Sequence, residues 1–318
     1  MSVSKVTLLS GGFSAEREVS LKSGAAVKKA LLELGYKVQD LDLTLERVPR
    51  LIDDVTEFGA DVVFIALHGP FGEDGTVQGL LEMAGIPYTG SGVLASALAM
   101  DKIQSKRMFE FHKIPTPSWV ALKGDDTFEP VFSLGREWVV KPSNQGSTIG
   151  ISIVKKLDHL PAGVALAFQY SPEILIEKYI AGREITVGVL GDEALDVVEM
   201  RPKQGFYDYT AKYTKGMTEY LCPAPIPEGQ RENVRALGLK AHQALGCTGA
   251  TRVDFRLNEA GEAFVLEVNT SPGMTELSLL PMSAVPCGYD YGALVQRIIE
   301  LARYPQGHPK KAETGVRP

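Results

Sequence analysis

The sequence is poor in cysteine, in long apolar runs and in positive charge, and each shortage removes a class of function. Its three cysteines, Cys222, Cys247 and Cys287, stand far apart and form no CxxC pair. Neither a disulfide framework nor a zinc site is implied, so the expectation is a reduced, cytoplasmic protein. No apolar stretch approaches the roughly 20 residues of a membrane span. The first residues form a short strand rather than a signal peptide. The net charge of −6 favours neither nucleic acid nor an anionic membrane surface. Two nucleotide signatures are also missing. GGFSAE after the first strand is not GxGxxG, which argues against a nicotinamide dehydrogenase, and no Walker A loop opens a helix.

Strand and helix patterns do alternate over the first hundred residues. KVTLLS, residues 36–43 and ADVVFIALHG read as strands, and helices are expected near 20–34 and 47–57. This pattern predicts a doubly wound α/β unit on a parallel sheet. Ligands of such sheets bind beyond the carboxyl ends of the strands. Ser14, Glu16, Arg17 and Ser20 follow the first strand, and His68 and Gly69 follow the third. Glu16 and Arg17 also read as a charged first helical turn, and His68 as a structural histidine at a strand end. From Ala95 one helix is expected to run until Pro115 and Pro117 stop it.

The next stretch is rich in strands. EWVVKPSNQGSTIGISIVKK has the shape strand, loop, strand. Its small polar loop suits backbone N–H groups laid over phosphates, with Lys141 supplying charge; a plain surface hairpin tip has the same pattern. EILIEKYI and EITVGVLG follow as strands joined by residues 181–183. Residues 203–229 lack a helical or strand period over most of their length, yet carry tyrosines and lysines. They read as a lid over a charged substrate.

Residues 251–273, TRVDFRLNEAGEAFVLEVNTSPG, read as a β-hairpin. A four-residue turn at 259–262 puts Asp254 opposite Glu267 and Arg252 opposite Asn269. Val253, Phe255, Leu257, Phe264, Leu266 and Val268 then face the core. Two carboxylates about 5 Å apart across a ladder destabilise a sheet unless a cation lies between them. Mg²⁺ takes such oxygens together with substrate phosphates. For the hairpin alone a solvated outer face is the alternative. The polar turn at 270–274 beside it favours Mg²⁺ held by Asp254, Glu267 and Asn269 against nucleotide phosphates.

GGFSAEREVSL, ALHGPFGEDGTVQGLLE, MDK, VVKPSNQGSTIGI, IEKYIAGREITVGVL, GFYDYTAKY, TRVDFRL and LEVNTSPGMTELSLLP span residues 11 to about 281. Together they resemble the D-alanine–D-alanine ligase family of the ATP-grasp superfamily. The resemblance implies a mixed α/β and α+β chain with three-domain ATP-grasp architecture. Its units would be 1–100, the doubly wound substrate-binding domain; 101–185, with the glycine-rich loop; and 186–318, with the lid loop and metal site. It implies ATP as co-substrate and two Mg²⁺ or Mn²⁺ held by Asp254, Glu267 and Asn269. Lys102, Lys141 and Lys212 match phosphate contacts, and Glu177, Lys178, Ile180 and Glu184 match adenine and ribose contacts. Glu16 matches the group that binds the ammonium of the first D-alanine, with His68 in the same subsite. Ser147 and Tyr213 match its hydrogen-bonding partners, which lock the lid. Arg252 and the Gly273 amide match oxyanion stabilisers, and Ser278 and Leu279 the pocket for the second carboxylate.

The implied reaction makes D-alanyl-D-alanine through a D-alanyl phosphate, releasing ADP and phosphate, for peptidoglycan precursor synthesis. Another small D-amino acid or a D-hydroxy acid as acceptor is the alternative, and Tyr213 favours an amine. A homodimer is implied, with no nucleic-acid or membrane partner. A nucleotide-binding module without turnover would be expected to lack some of Lys141, Arg252, Asp254, Glu267 and Asn269, yet all five are present.

Overall fold

The structure, a computed structural model, describes residues 3–124, 126–146, 148–203 and 216–305. Strands β1 (Lys5–Gly11), β2 (Lys37–Leu43) and β3 (Val62–Ile65) form a parallel sheet in the order β2-β1-β3. Alternate residues of β1 serve two cores. Val6 and Leu8 pack with helices Arg17–Glu33 and Tyr291–Glu300, whereas Leu9 packs with helix Leu51–Phe58. Helices therefore cover both faces, which is why β1 and β3 carry apolar residues almost without interruption.

Strands β4 (Trp119–Lys123), β5 (Trp138–Pro142), β6 (Ser152–Val154) and β7 (Glu173–Lys178) form an antiparallel sheet in the order β4-β7-β5-β6. Strands β8 (Arg183–Leu190), β9 (Glu193–Pro202), β10 (Thr218–Leu221), β11 (Ala250–Leu257) and β12 (Ala263–Asn269) form a second, ordered β10-β9-β8-β11-β12. The chain passes between the two sheets at residues 179–182, so residue 185 lies inside β8. Helix Glu228–Ala244 buries Val234 and Ala241 against Val187, Val253 and Phe255 of the larger sheet. No described helix is long and apolar enough to cross a membrane.

Three local expectations need correction. The helix expected to run from Ala95 is two helices, Val93–Met100 and Lys102–Phe111. Asp101 between them is extended, and its carboxylate accepts from the Ile103 and Gln104 amides. A short acidic side chain satisfies the free donors of a new helix better than it continues the old one. The segment 203–229 contains β10, a four-residue strand paired with β9 and too short to show a period. Residues 204–215, the centre of the expected lid, lie outside the described residues.

The hairpin is the third. Its connection runs through residues 258–262, one longer than expected, because Leu257 pairs with Ala263. The register then shifts between Asp254 and Phe255, leaving Leu266 as the extra residue of a bulge. That residue restores the pairs expected from sequence, Asp254 with Glu267 and Arg252 with Asn269. It also reverses the alternation beyond it. Ala263, Val265 and Val268 are buried, while Phe264 and Leu266, expected in the core, are not.

Candidate active site

Two cavities, of about 720 and 90 Å³, open beside one another where the sheets converge. Lys102, Gly146 and Glu267 line both.

Lys141, Glu177, Lys178, Ile180, Glu184, Asp254 and Leu266 all line the smaller cavity. Glu177 is 1% exposed and is ion-paired with Lys141 and, at 2.8 Å, with Lys106. Burial alone would raise its carboxyl, but Lys106 and Lys141 together hold it below the ordinary value. Burial pushes the Lys106 ammonium down while Glu177 opposes the shift. Lys106 also donates to Thr116 Oγ1 at 2.7 Å, and Thr116 donates to the Val265 carbonyl at 2.8 Å. This buried cation thus joins three elements around the cavity, and sequence reading missed it. The available signal was its position four residues after Lys102, on the same helix face.

Arg256 was missed as well. Its guanidinium donates to Glu184 Oε1 at 2.9 Å and to the carbonyls of Ile180 and Gly182 at 3.0 and 2.9 Å. Strand alternation from Arg252 and Asp254 would have put it on the same face.

Glu16, His68, Arg252, Asn269, Gly273, Ser278 and Leu279 line the larger cavity. Of the cluster after β1, only Glu16 does so. Arg17 pairs with Asp42 at 2.6 Å, and Ser14 and Ser20 donate to the carbonyls of His68 and Ala66. His68 is buried, with Nδ1 at 2.8 Å from the Ser271 carbonyl and Nε2 at 3.1 Å from Ser23 Oγ. A carbonyl partner requires the proton on Nδ1, so Nε2 accepts from Ser23. Burial holds the imidazole below its ordinary value, with Glu16 opposing, so the ring is neutral. Ser23 Oγ in turn accepts from the Met274 amide at 3.1 Å. His68 and Ser23 thereby tie the end of β3 to the loop that carries Gly273. A Cβ on Gly273 would meet Ser278 Oγ at 2.9 Å, so glycine lets this loop pass close to Ser278.

The hairpin face supplies the oxygen cluster. Asp254 accepts from Arg252 Nε and Nη2, each at 2.8 Å, and from Thr186 Oγ1 at 2.6 Å. Glu267 lies 3.1 Å from Lys102 Nζ, which also donates to the Gln145 carbonyl at 2.7 Å. Asn269 Oδ1 accepts from the Ser271 amide at 3.0 Å. Two carboxylates and an amide oxygen, without nitrogen or sulfur donors, fit a hard divalent cation. Among the described residues no group of three or more His, Cys, Asp and Glu forms another candidate. Ser147, Lys212 and Tyr213 lie outside the described residues.

Family models described as D-ala D-ala ligase C-terminus and D-ala D-ala ligase N-terminus match residues 108–300 and 49–91. A D-alanine–D-alanine ligase of Syntrophotalea carbinolica is 49% identical over 298 residues, covering 93% of this chain and 95% of the relative. The chain belongs to the D-alanine–D-alanine ligase family. The crystal structure of the Bacillus anthracis D-alanine–D-alanine ligase complexed with ATP matches at a TM-score of 0.83 and 35% identity, over 94% of this chain and 97% of that one. The VanG D-Ala:D-Ser ligase of Enterococcus faecalis matches at 0.81 and 30% identity, over 94% and 99%. With these likenesses the D-alanine–D-alanine ligase family architecture, ATP-grasp, holds for this chain as the sequence motifs implied.

Proposed function

We propose that this chain joins two D-alanine molecules to D-alanyl-D-alanine with ATP, releasing ADP and phosphate. One observation carries the reading: Lys102, Gly146 and Glu267 line both cavities. A nucleotide in the smaller cavity therefore directs its terminal phosphate towards an amino acid in the larger one. Family membership and the likeness to a ligase solved with ATP support the same assignment. The reading extends, on family grounds, to a cytoplasmic homodimer that supplies a peptidoglycan precursor.

The chemistry needs no protein nucleophile. A carboxylate oxygen of the first D-alanine attacks the γ-phosphorus and ADP leaves, giving D-alanyl phosphate. The amine of the second D-alanine attacks the acyl carbon, and the tetrahedral intermediate collapses with loss of phosphate. Catalysis is then mostly positioning and charge stabilisation. Lys102 and Lys141 face the phosphates, while Lys178, Ile180 and Glu184 enclose base and ribose. Glu16 takes the first ammonium. Arg252 and the Gly273 amide face the oxyanion, where donors already in place act strongly. Ser278 and Leu279 receive the second carboxylate. Asp254, Glu267 and Asn269 would hold two Mg²⁺ or Mn²⁺, which supply charge neutralisation at the phosphates when bound.

The test is ADP release with ATP, Mg²⁺ and D-alanine, run beside L-alanine, D-alanine plus D-lactate, and D-alanine plus D-serine. D-alanine-dependent turnover with dipeptide seen by mass spectrometry is expected. No D-alanine-dependent ADP release from folded protein would overturn the assignment. A mixed product with D-serine would move the acceptor reading towards the VanG relative.

A further inference from the structure

Glu73 lies in the loop between β3 and helix Thr76–Met83 and lines the larger cavity. The loop is anchored around it. The Glu73 amide donates to the Gly69 carbonyl at 3.1 Å, and Thr270 Oγ1 donates to the Glu73 carbonyl at 3.2 Å. The side chain is only 8% exposed, yet Oε2 has no hydrogen-bond partner among the described residues. A buried carboxyl oxygen without a partner is costly, and native folds rarely keep one without use.

A second observation places the other oxygen of the same carboxyl. The position a Cβ would take on Gly146 lies 3.1 Å from Glu16 Oε2 and 3.8 Å from Glu73 Oε1. Two carboxyls from different loops therefore converge on one backbone point of the glycine-rich loop. Among the described residues, Lys102 pairs with Glu267 and Arg252 with Asp254.

We propose that Glu73 is a specificity-determining residue of this cavity, forming with Glu16 a two-carboxyl cradle, floored by Gly146, for the α-ammonium of the first D-alanine. The proposal rests on the ligase reading above. An ammonium carries three N–H donors, and two carboxyls on different sides receive them better than one. Burial first, and then the neighbouring Glu16, push the Glu73 carboxyl up to about 8, against a backbone hydrogen bond from Gly69. An arriving ammonium favours the ionised form of the Glu73 carboxyl. A hydroxy acid in that position brings none, and unpaired buried polar groups are what make a site reject an analogue strongly.

Glu73→Gln keeps the shape and removes the ionisable carboxyl. ADP release is followed against D-alanine at saturating ATP and fitted with separate first-site and second-site constants. The expected result is a first-site KM raised about tenfold or more, as for loss of one buried polar partner. The second-site and ATP constants stay within about twofold, and Glu73→Asp recovers part of the loss. An unchanged first-site KM, or all three constants rising together, overturns the proposal. Should the Gln variant not fold, Glu73→Asp carries the same comparison, because its carboxyl retracts by one methylene. Calorimetric binding of D-alanine and D-lactate, with a non-hydrolysable ATP analogue present, separates the two readings. A D-alanine preference lost in Glu73→Gln supports the cradle even if no dipeptide forms, in which case only the reaction assignment fails. Dipeptide formation by both proteins with equal first-site constants overturns the cradle alone.

Discussion

Asp254 accepts from both Nε and Nη2 of Arg252, each at 2.8 Å, although the two residues sit on one strand with a single residue between them. A two-point bond of this kind fixes the plane of the guanidinium as well as its position. In the proposed reaction Arg252 would meet a developing oxyanion with little reorganisation, and Asp254, the carboxylate that orients it, would also hold the cation. In that proposal the same hairpin would serve both halves of the reaction.

Replacing Arg252 tests that arrangement. Removal of one oxyanion donor costs roughly 10²–10³-fold in turnover in other enzymes, and Arg252→Ala is expected to lose that much kcat. Arg252→Lys should recover little, because an ammonium cannot reproduce the fork that Asp254 holds. Steady-state ADP release measures both, and near-normal turnover by either variant would remove Arg252 from the chemistry.

Glu267 offers a test of the cation. It faces Asp254 across the ladder and lies 3.1 Å from Lys102. Glu267→Gln keeps the volume and an oxygen but discards a charge. The Mg²⁺ concentration for half-maximal turnover should rise by at least the roughly 10–100-fold seen when even an outer-shell partner is changed. A chelator should stop turnover by the unaltered protein. Mg²⁺ titrations that superimpose for the two proteins would exclude Glu267 as a ligand.

A buried histidine away from the site sets an acid limit on stability. His242 is 2% exposed, with Nδ1 at 2.8 Å from Thr251 Oγ1. Burial pushes it from the ordinary 6.5 to about 4. Above the ordinary value both folded and unfolded chains are neutral there, and nothing is lost. As pH falls towards the folded value, the unfolded chain binds a proton that the folded chain refuses. Stability therefore drops with acidification, by about 3 kcal/mol in full. Denaturant midpoints between pH 7.5 and 4.5 should fall less steeply for His242→Asn, which keeps a partner for Thr251. Equal slopes would assign the acid loss to other groups.

Much of this site was legible because short-range rules carried it. Alternation on β11 and β12 puts Asp254 opposite Glu267 once a turn is assumed. Sequence order also gives Glu16 and His68 as residues at the strand ends of a parallel sheet. What was not legible depended on distant partners or on small irregularities. Lys106 reads as an ordinary helical lysine until Glu177, 71 residues later, is folded against it. Glu73 is one acid in a loop until Gly146 and Glu16 arrive beside it. The break at Asp101 and the bulge at Leu266 each involve one residue, and apolar periodicity is blind to both. The assumed four-residue turn gave the right pairs around Asp254 and Glu267 because the longer turn and the bulge offset one another.

The bulge itself yields the last prediction. Without the extra residue, alternation would send Leu266 into the sheet core; with it, Leu266 lines the smaller cavity beside Ile180 and Lys178. In the proposed nucleotide site an apolar side chain there would serve a flat base more than it serves folding. Leu266→Ala removes methyl and methine groups from that wall, each buried carbon contributing about 0.8 kcal/mol. Incomplete burial and partial relaxation reduce the sum to about 1–2 kcal/mol, close to tenfold in affinity. The ATP KM should therefore rise about tenfold, while both D-alanine constants hold and the melting temperature shifts by only a few degrees. A core leucine behaves the other way, costing roughly 2–5 kcal/mol of stability on truncation. Thermal melts and ATP titrations on one preparation distinguish the two. A large loss of stability with an unchanged ATP KM would mean that Leu266 packs into the core and that the bulge does not shape the nucleotide pocket.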